Sequence, residues 1–256
     1  MATAKRKYGW LPDLPDHRDH RFELPSDLLQ HLPHSIDLRP HCPEVLDQGQ
    51  KIGSCTANAV CNAYRFDLMK QGATKKFSPS RLFIHYNARA MIGTQKQNHG
   101  AHVRDAIKSV VKQGVCHEKT WPYIAKKYAH KPPRAAYEEA LEHQALSYQR
   151  LRHEVAQLKA CLAEGYPFVF GLTTYEDFES DRVTRTGTVH LPKKSESLIG
   201  GHTVLAVGYN DDTQRFTVMN SWGKTWGKAG YFTLPYHYLA HEDLAADFWV
   251  IRSIET

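Results

Sequence analysis

Cysteine is sparse in this chain, and the five that occur, Cys42, Cys55, Cys61, Cys116 and Cys161, include no Cys-x-x-Cys pair. That spacing argues against zinc ribbons and thioredoxin-type redox motifs. Neither His17-Arg18-Asp19-His20 nor Cys116-His117 has a complementary ligand cluster near it in the chain, so no metal and no cofactor are expected. Long apolar runs are also missing: nothing approaches a bilayer span, and no apolar stretch follows the basic start as it would in a secretory signal. No membrane role is expected, and the chain should act inside the cell or leave it without a cleaved signal. A single concentrated basic stripe is lacking too. The net charge is +6, but Lys5-Arg6-Lys7, Lys75-Lys76, Lys126-Lys127 and Lys193-Lys194 are scattered and not interleaved with aromatics. This argues against nucleic acid as a partner and for an ordinary solvated surface.

The chain has 256 residues and 41% apolar content, enough to bury a full core. Its most informative stretch is Gln48-Gly49-Gln50-Lys51-Ile52-Gly53-Ser54-Cys55-Thr56-Ala57-Asn58-Ala59. From Cys55 the apolar residues Ala57, Val60, Cys61, Tyr64 and Leu68 recur at helical spacing, and Gly72 supplies a left-handed stop. Cys55 therefore falls at the helix start, where free N–H groups and the helix dipole favour a thiolate. A lone cysteine there is more often a small buried hydrophobe, so a second signal is needed. It comes about 150 residues later, where His202 opens the β-branched run Thr203 to Tyr209 and Asn220-Ser221-Trp222-Gly223 follows Phe216 to Met219. An early Cys followed by a late His and Asn at the ends of adjacent strands is the order of a Cys-His-Asn site.

With these residues in order, the chain resembles the papain-family cysteine peptidases. Gln48-Gly49 with Gly53-Ser54-Cys55 is similar to the family's oxyanion and nucleophile segment, and His202 to its base. Asn220-Ser221-Trp222-Gly223 with Trp226-Gly227 is similar to its Asn-Ser-Trp-Gly segment. Leu32-Pro33 with Ile36-Asp37-Leu38-Arg39 resembles the mature N-terminus, and Trp121-Pro122-Tyr123 a Tyr-Pro-Tyr landmark. The resemblance implies that Cys55 is the nucleophile, resting with His202 as a thiolate-imidazolium pair, and that Asn220 orients the ring. It also implies an oxyanion hole made by the Gln48 amide and the Cys55 N–H, with Trp222 shielding the site and bordering substrate. Gly100, Gly171 and Gly201 become substrate contacts, the last two lining the pocket for the residue just upstream of the scissile one. Two glycines there leave room for a bulky apolar or aromatic side chain, unless Phe170 or the insert Ser180 to Ser197 refills it.

There are departures from the family pattern. Thr56 stands where plant and animal members carry Trp, one extra residue separates Gln48 from Cys55, and Ile52 replaces the cysteine three positions before papain's nucleophile. These changes resemble bacterial members and remove a disulfide beside the site. A Cys42–Cys116 pairing is an alternative staple.

The expected architecture is α+β, a papain-like two-lobe fold with a helical lobe and an antiparallel β-barrel-like lobe meeting at the site. Residues 1–31 form a leader and 32–256 the catalytic domain, with the helical lobe at about 42–140 and the barrel lobe at about 141–256 together with 32–41. Helices are expected from a Ser78 cap with Pro79 to about Ala90, over Val103 to Gln113, Ala135 to His143 and Glu154 to Ala163. Strands are expected at Pro167 to Leu172, Thr203 to Tyr209, Phe216 to Met219, Gly230 to Leu234 and Phe248 to Ile254. The leader, rich in Pro and charge, is expected to be extended and to pack near the cleft as a short inhibitory prosegment. The expected activity is a cysteine endopeptidase acting as a monomer on a peptide or protein. A thiol-dependent acyl transferase or amidase, or a silent peptide-binding protein, would use the same residues.

Overall fold

The computed structural model describes residues 6–22, 31–72 and 77–254. Lys75-Lys76, Lys5 of the basic triplet, and leader residues 1–5 and 23–30 lie outside the described residues. Helix α1 spans Cys55–Lys70, and its alanine-rich first half has no Gly or Pro to interrupt it. It ends as its sequence predicts, with Gly72 at φ +76° and its N–H donated to the Met69 carbonyl at 3.1 Å.

Helix α2 spans Arg81–Ala90 and begins later than the Ser-Pro signal suggests. The Ser80 and Glu118 amides donate to the carbonyls of Cys116 and Ser78, so Ser78-Pro79 is held as a bridge to the 116–118 segment. Ser80 is the cap instead: its Oγ accepts from Phe83 N at 3.1 Å and donates to the Trp121 carbonyl at 2.6 Å. Helix α3 covers Val103–Gln113, as expected, and Gly114 at φ +70° closes it. Four shorter helices follow: α4 (Arg134–Ala140), α5 (Val155–Ala163), α6 (Asp181–Thr186) and α7 (Tyr236–Ala240). No helix among the described residues is long and apolar enough to cross a membrane.

The strands are β1 (Trp10–Leu11), β2 (Ser35–Asp37), β3 (Ala101–His102), β4 (Ala145–Arg150), β5 (Phe168–Tyr175), β6 (Leu198–Asn210), β7 (Arg215–Met219), β8 (Tyr231–Pro235) and β9 (Ala245–Ile254). Seven of them form one antiparallel sheet in the order β4-β9-β5-β6-β7-β8, with β2 pairing beside β6. Alternation along β5 and β6 divides the interior in two. Val169, Leu205 and Val207 pack with Val60, Tyr64 and Ile107 of the helices, whereas Phe168, Phe170, Val204 and Ala206 pack with Phe216, Phe232 and Phe248 on the other side. The fold is papain-like α+β, with helices against one face of the sheet and an aromatic core behind the other. The insert after Ser180 is braced on the sheet through α6 and through Val189 N, which donates to the Thr233 carbonyl at 3.1 Å.

All five cysteines are free, so the Cys42–Cys116 staple is not formed. The Cys42 thiol lies beside the Tyr231 hydroxyl, whereas Cys116 is buried behind the start of α2. In place of a staple, buried Arg89 donates to the carbonyls of His85 (3.0 Å), Gln95 (3.1 Å), Gln97 (2.5 Å) and Tyr128 (2.5 Å). Asn98 Nδ2 adds a bond to the Lys51 carbonyl at 2.8 Å. These contacts tie the segment leading to Gly100 to the one leading to Cys55.

Replacing Ser80 by Ala removes a cap and leaves the buried Trp121 carbonyl without its donor. Ser80→Ala is expected to cost about 2 kcal/mol, seen as a lower midpoint with an unchanged slope in urea unfolding. An unchanged midpoint would show that Ser80 is not the working cap.

Candidate active site

Cys55 is the first residue of α1 and is fully buried. Its cap residue, Ser54, makes no side-chain capping bond; its hydroxyl bonds instead with Tyr123 Oη and accepts from Asn58 Nδ2 at 3.2 Å. Within the first turn, the Thr56 backbone N–H faces the thiol. Across the site, His202 sits on β6 opposite Leu172 of β5, and Asn220 follows the end of β7. The neighbouring strands bring the two together: His202 Nε2 donates to Asn220 Oδ1 at 2.8 Å. The Ser221 N–H donates to the same Asn220 atom at 2.8 Å, which identifies that atom as the amide oxygen and puts the imidazole proton on Nε2. Nδ1 is left buried with no hydrogen-bond partner among the described residues. Trp222 packs on the ring with centroids 5.0 Å apart, closing it from water.

Gln48 is buried, and its orientation is set by Ser221: its N–H donates to the Ser221 carbonyl at 2.8 Å, and Ser221 Oγ donates to its Oε1 at 2.7 Å. Its Nε2 is thereby turned inward and donates to the Lys7 carbonyl at 3.3 Å. Tyr123 braces the same loop by donating to the Gln48 carbonyl at 2.9 Å. The landmark Trp121-Pro122-Tyr123 thus supports both ends of the extra-residue loop.

Lys7 belongs to the leader, and the leader fills the cleft. Arg6 lies 4.4 Å over the Trp222 ring. Tyr8 packs edge-on against His202 at 6.0 Å and donates to Glu179 Oε1 at 2.6 Å. Gly9 donates to the Gly201 carbonyl at 3.2 Å and accepts from Ala101 N at 2.9 Å, and β1 continues as a parallel partner of β3. Here glycine is a steric requirement: a Cβ on Gly100 would come within 2.3 Å of the Gly9 carbonyl oxygen, and one on Gly9 within 1.9 Å of the Gly53 carbonyl oxygen. The Trp10 ring lies over Gly171 and Gly201, where a Cβ would approach it to 2.0 Å and 2.8 Å. Phe170 does not refill this pocket, because it points to the opposite face of β5 and stacks with Phe248 at 5.7 Å.

Two contributors carry no local sequence signal. Thr56 Oγ1 meets Thr203 Oγ1 at 2.8 Å and lies 3.2 Å from the carbonyls of Gly9 and Ala101. Asp247, at φ +57°, accepts from Trp10 Nε1 at 3.0 Å and from Asp13 N at 2.8 Å. Asp13 in turn accepts from Trp249 Nε1 at 2.8 Å, and Asp19 bonds to Arg104 (2.5 Å) and Arg150 (2.9 Å).

Under the leader, burial acts against the expected ion pair. Burial pushes the Cys55 thiol up, outweighing the backbone groups of Thr203, Gly9 and Thr56 and the Thr203 hydroxyl, which favour the thiolate. Burial also pushes His202 down to about 4, against the Asn220 bond that favours the charged ring. In the covered site burial thus favours the neutral form of each group.

Comparison with known proteins shows the family. Residues 32–244 match the profile described as the papain family cysteine protease, and the chain belongs to this family. It is a papain-like cysteine peptidase, a hydrolase. It is 40% identical to the peptidase C1-like protein L477 of Acanthamoeba polyphaga mimivirus over 99% of this chain and 89% of that one. Xylellain, a cysteine protease from Xylella fastidiosa, superposes with a TM-score of 0.92 at 39% identity over 99% of this chain and 98% of that one. The fold is shared with procathepsin B S9 of Trypanosoma congolense, with a TM-score of 0.74 at 18% identity over 97% and 86% of the two chains.

Leader docking is expected to respond to pH through two buried groups of opposite sign. His202, lowered from 6.5 to about 4, favours the covered form above its ordinary value, and this is lost as pH falls through about 4. Asp13, raised from 3.8 to about 6 by burial and by neighbouring Asp247, favours it below its ordinary value, and this is lost as pH rises through about 6. Asp13→Asn removes only the second effect. Its Cys55 is expected to alkylate severalfold more slowly than wild type at neutral pH and at the wild-type rate near pH 4, as read by mass spectrometry of the Cys55 peptide. Equal rates at both pH values would show that Asp13 does not ionise against docking.

Proposed function

We propose that the protein is a cysteine endopeptidase in which Cys55 is the nucleophile, His202 the base and acid, Asn220 the orienter and Gln48 an oxyanion donor, restrained by its own leader. The observation that carries the reading is the Gln48 amide, which donates to the Lys7 carbonyl at 3.3 Å as it would to a developing oxyanion, in a fold that also pairs His202 with Asn220 at 2.8 Å.

In the reaction, Cys55 sulfur adds to the substrate carbonyl carbon as its proton passes to His202 Nδ1, the nitrogen left free by the Asn220 bond. The Gln48 amide and Cys55 N–H hold the oxyanion. His202 then gives the proton to the leaving amine, and the C–N bond breaks to leave a thioester. Water adds next with His202 as base, and the C–S bond breaks to release the acid and restore the thiol. Asn220 keeps Nδ1 aimed at the reacting atoms throughout.

The restraint follows from chain direction. A substrate would put the residue upstream of the scissile one into the Gly171–Gly201 pocket, so its chain would run from the pocket to the oxyanion donors. In the leader the pocket residue, Trp10, comes three positions after Lys7, so the leader runs the other way. Its peptide bonds meet Cys55 in reversed order, which supports occupation of the cleft without cleavage.

The test compares full-length protein with Trp10→Ala, Gln48→Ala and Cys55→Ala on a mixture of peptides under reducing conditions, with products read by mass spectrometry. Internal cleavage is expected to be weak in wild type, at least tenfold faster in Trp10→Ala and absent in Cys55→Ala. Gln48→Ala should lower kcat by about two to three orders of magnitude. Acyl transfer to added amines without hydrolysis would favour a transferase instead, and no turnover by any form would favour a peptide-binding role.

A further inference from the structure

One guanidinium reaches both segments that carry the oxyanion donors. Arg81 is the first residue of α2, and its side chain is 14% exposed. Its Nη1 donates to the Asp47 carbonyl at 3.0 Å and to Asn58 Oδ1 at 3.3 Å, and its Cζ lies 4.0 Å over the Tyr123 ring. Glu118 aligns the group from the far side: Oε1 accepts from Nη2 at 2.9 Å, and Oε2 accepts from the Arg81 backbone N–H at 3.0 Å. Paired with this carboxylate, the guanidinium contributes geometry and not a net positive field.

Each of these contacts leads to a peptide group next to an oxyanion donor. A peptide unit is planar, so a bond that holds its oxygen also orients its N–H. The Asp47 carbonyl and the Gln48 N–H form one such unit, held at the oxygen by Arg81 and at the N–H by the Ser221 carbonyl, 2.8 Å away. The next carbonyl, that of Gln48, accepts from Tyr123 Oη at 2.9 Å, and Arg81 packs on that ring. Gln48 is thus fixed at the peptide on either side, which sets the direction of its side chain. The third path runs through Asn58. With Oδ1 taken by Arg81, its Nδ2 turns to the Ser54 carbonyl at 2.9 Å. That carbonyl shares a peptide with the Cys55 N–H, the second oxyanion donor.

We propose that Arg81 is a positioning residue for the oxyanion hole, setting the Gln48 side chain and the Cys55 N–H from a single guanidinium. Arginine suits the task because its donors lie in one fixed plane, so it can meet a carboxylate, a carbonyl and an amide oxygen while its face stacks on an aromatic ring. An ammonium group, a point charge on a flexible stem, cannot do all of these at once. The proposal rests on the assignment of Cys55 as nucleophile and Gln48 as oxyanion donor.

The test measures kcat and KM of the full-length protein on a fluorogenic Phe-Arg dipeptide amide, together with the rate at which an epoxide alkylates Cys55. Opening the epoxide ring puts no charge on a carbonyl oxygen, so alkylation reports the nucleophile and its access without the oxyanion donors. Arg81→Met keeps the length of the side chain and its packing on Tyr123. It is expected to lower kcat by about tenfold or more while KM and the alkylation rate stay within about twofold. Arg81→Lys keeps the charge without the fork, and its kcat should stay within about threefold of that of Arg81→Met. In the Gln48→Ala background, Arg81→Met should cost far less than it does in wild type, because one of the two donors it orients is already gone. Losses that simply multiply, an alkylation rate that falls in step with kcat, or a full rescue by Arg81→Lys would each overturn the proposal while leaving the peptidase intact. If Arg81→Met does not fold, Tyr123→Phe takes its place in the same comparisons, with an expected severalfold loss of kcat. An unchanged kcat in the variant used would overturn the proposal. No turnover by wild type or Trp10→Ala would overturn it together with the assignment on which it rests.

Discussion

The bond between Thr56 and Thr203 is the joint on which the site depends. Each threonine is fully buried, and each follows a key residue directly: Thr56 follows Cys55 on α1, and Thr203 follows His202 on β6. One hydroxyl pair thus joins the helix to the sheet beside Cys55 and His202. Most papain-like chains of plants and animals carry a large indole after the nucleophile. Here a small hydroxyl residue stands instead, and Gly9 and Ala101 converge on the same oxygen. Local chemistry at the helix start, strand pairing behind it and leader docking above it all pass through this contact.

Around that joint, the protein holds its loops with hydrogen bonds where a disulfide is missing. Arg89 is a buried cation whose bonds go to four carbonyl oxygens, and its burial lowers it to about 10. A guanidinium can satisfy several carbonyls at once because its donors are fixed in a plane. Asn98 and Tyr123 do the same on a smaller scale for the loops on either side of Cys55. Loop geometry here depends on polar contacts inside the fold and not on oxidation state.

Periodic and local features were legible in the sequence. Helix α3 falls where its apolar spacing puts it, α1 begins at Cys55 and stops at Gly72, and the strand pattern around His202 and Asn220 gives their neighbouring positions. The start of α2 was misread because Ser78-Pro79 has the right local chemistry but is claimed by a bridge to the 116–118 segment. The leader's contacts were legible only as a composition shift, since nothing in its sequence says that Trp10 meets Gly171 or that Lys7 meets Gln48. Asp247 and the Thr56–Thr203 pair escaped for the same reason. They are contacts between residues far apart in the chain, and no short window carries them.

Under the restraint proposed above, a leader that runs through the cleft in reversed order would be a competitor attached to its own target. Its local concentration is set by the length of chain between Leu11 and the body and does not fall on dilution. Substrate would then have to displace an intramolecular ligand, which would raise the apparent KM by a factor of one plus the ratio of covered to open enzyme and leave the saturated rate untouched. The response to substrate would stay hyperbolic but shift to a higher concentration range, without any bond in the leader being broken.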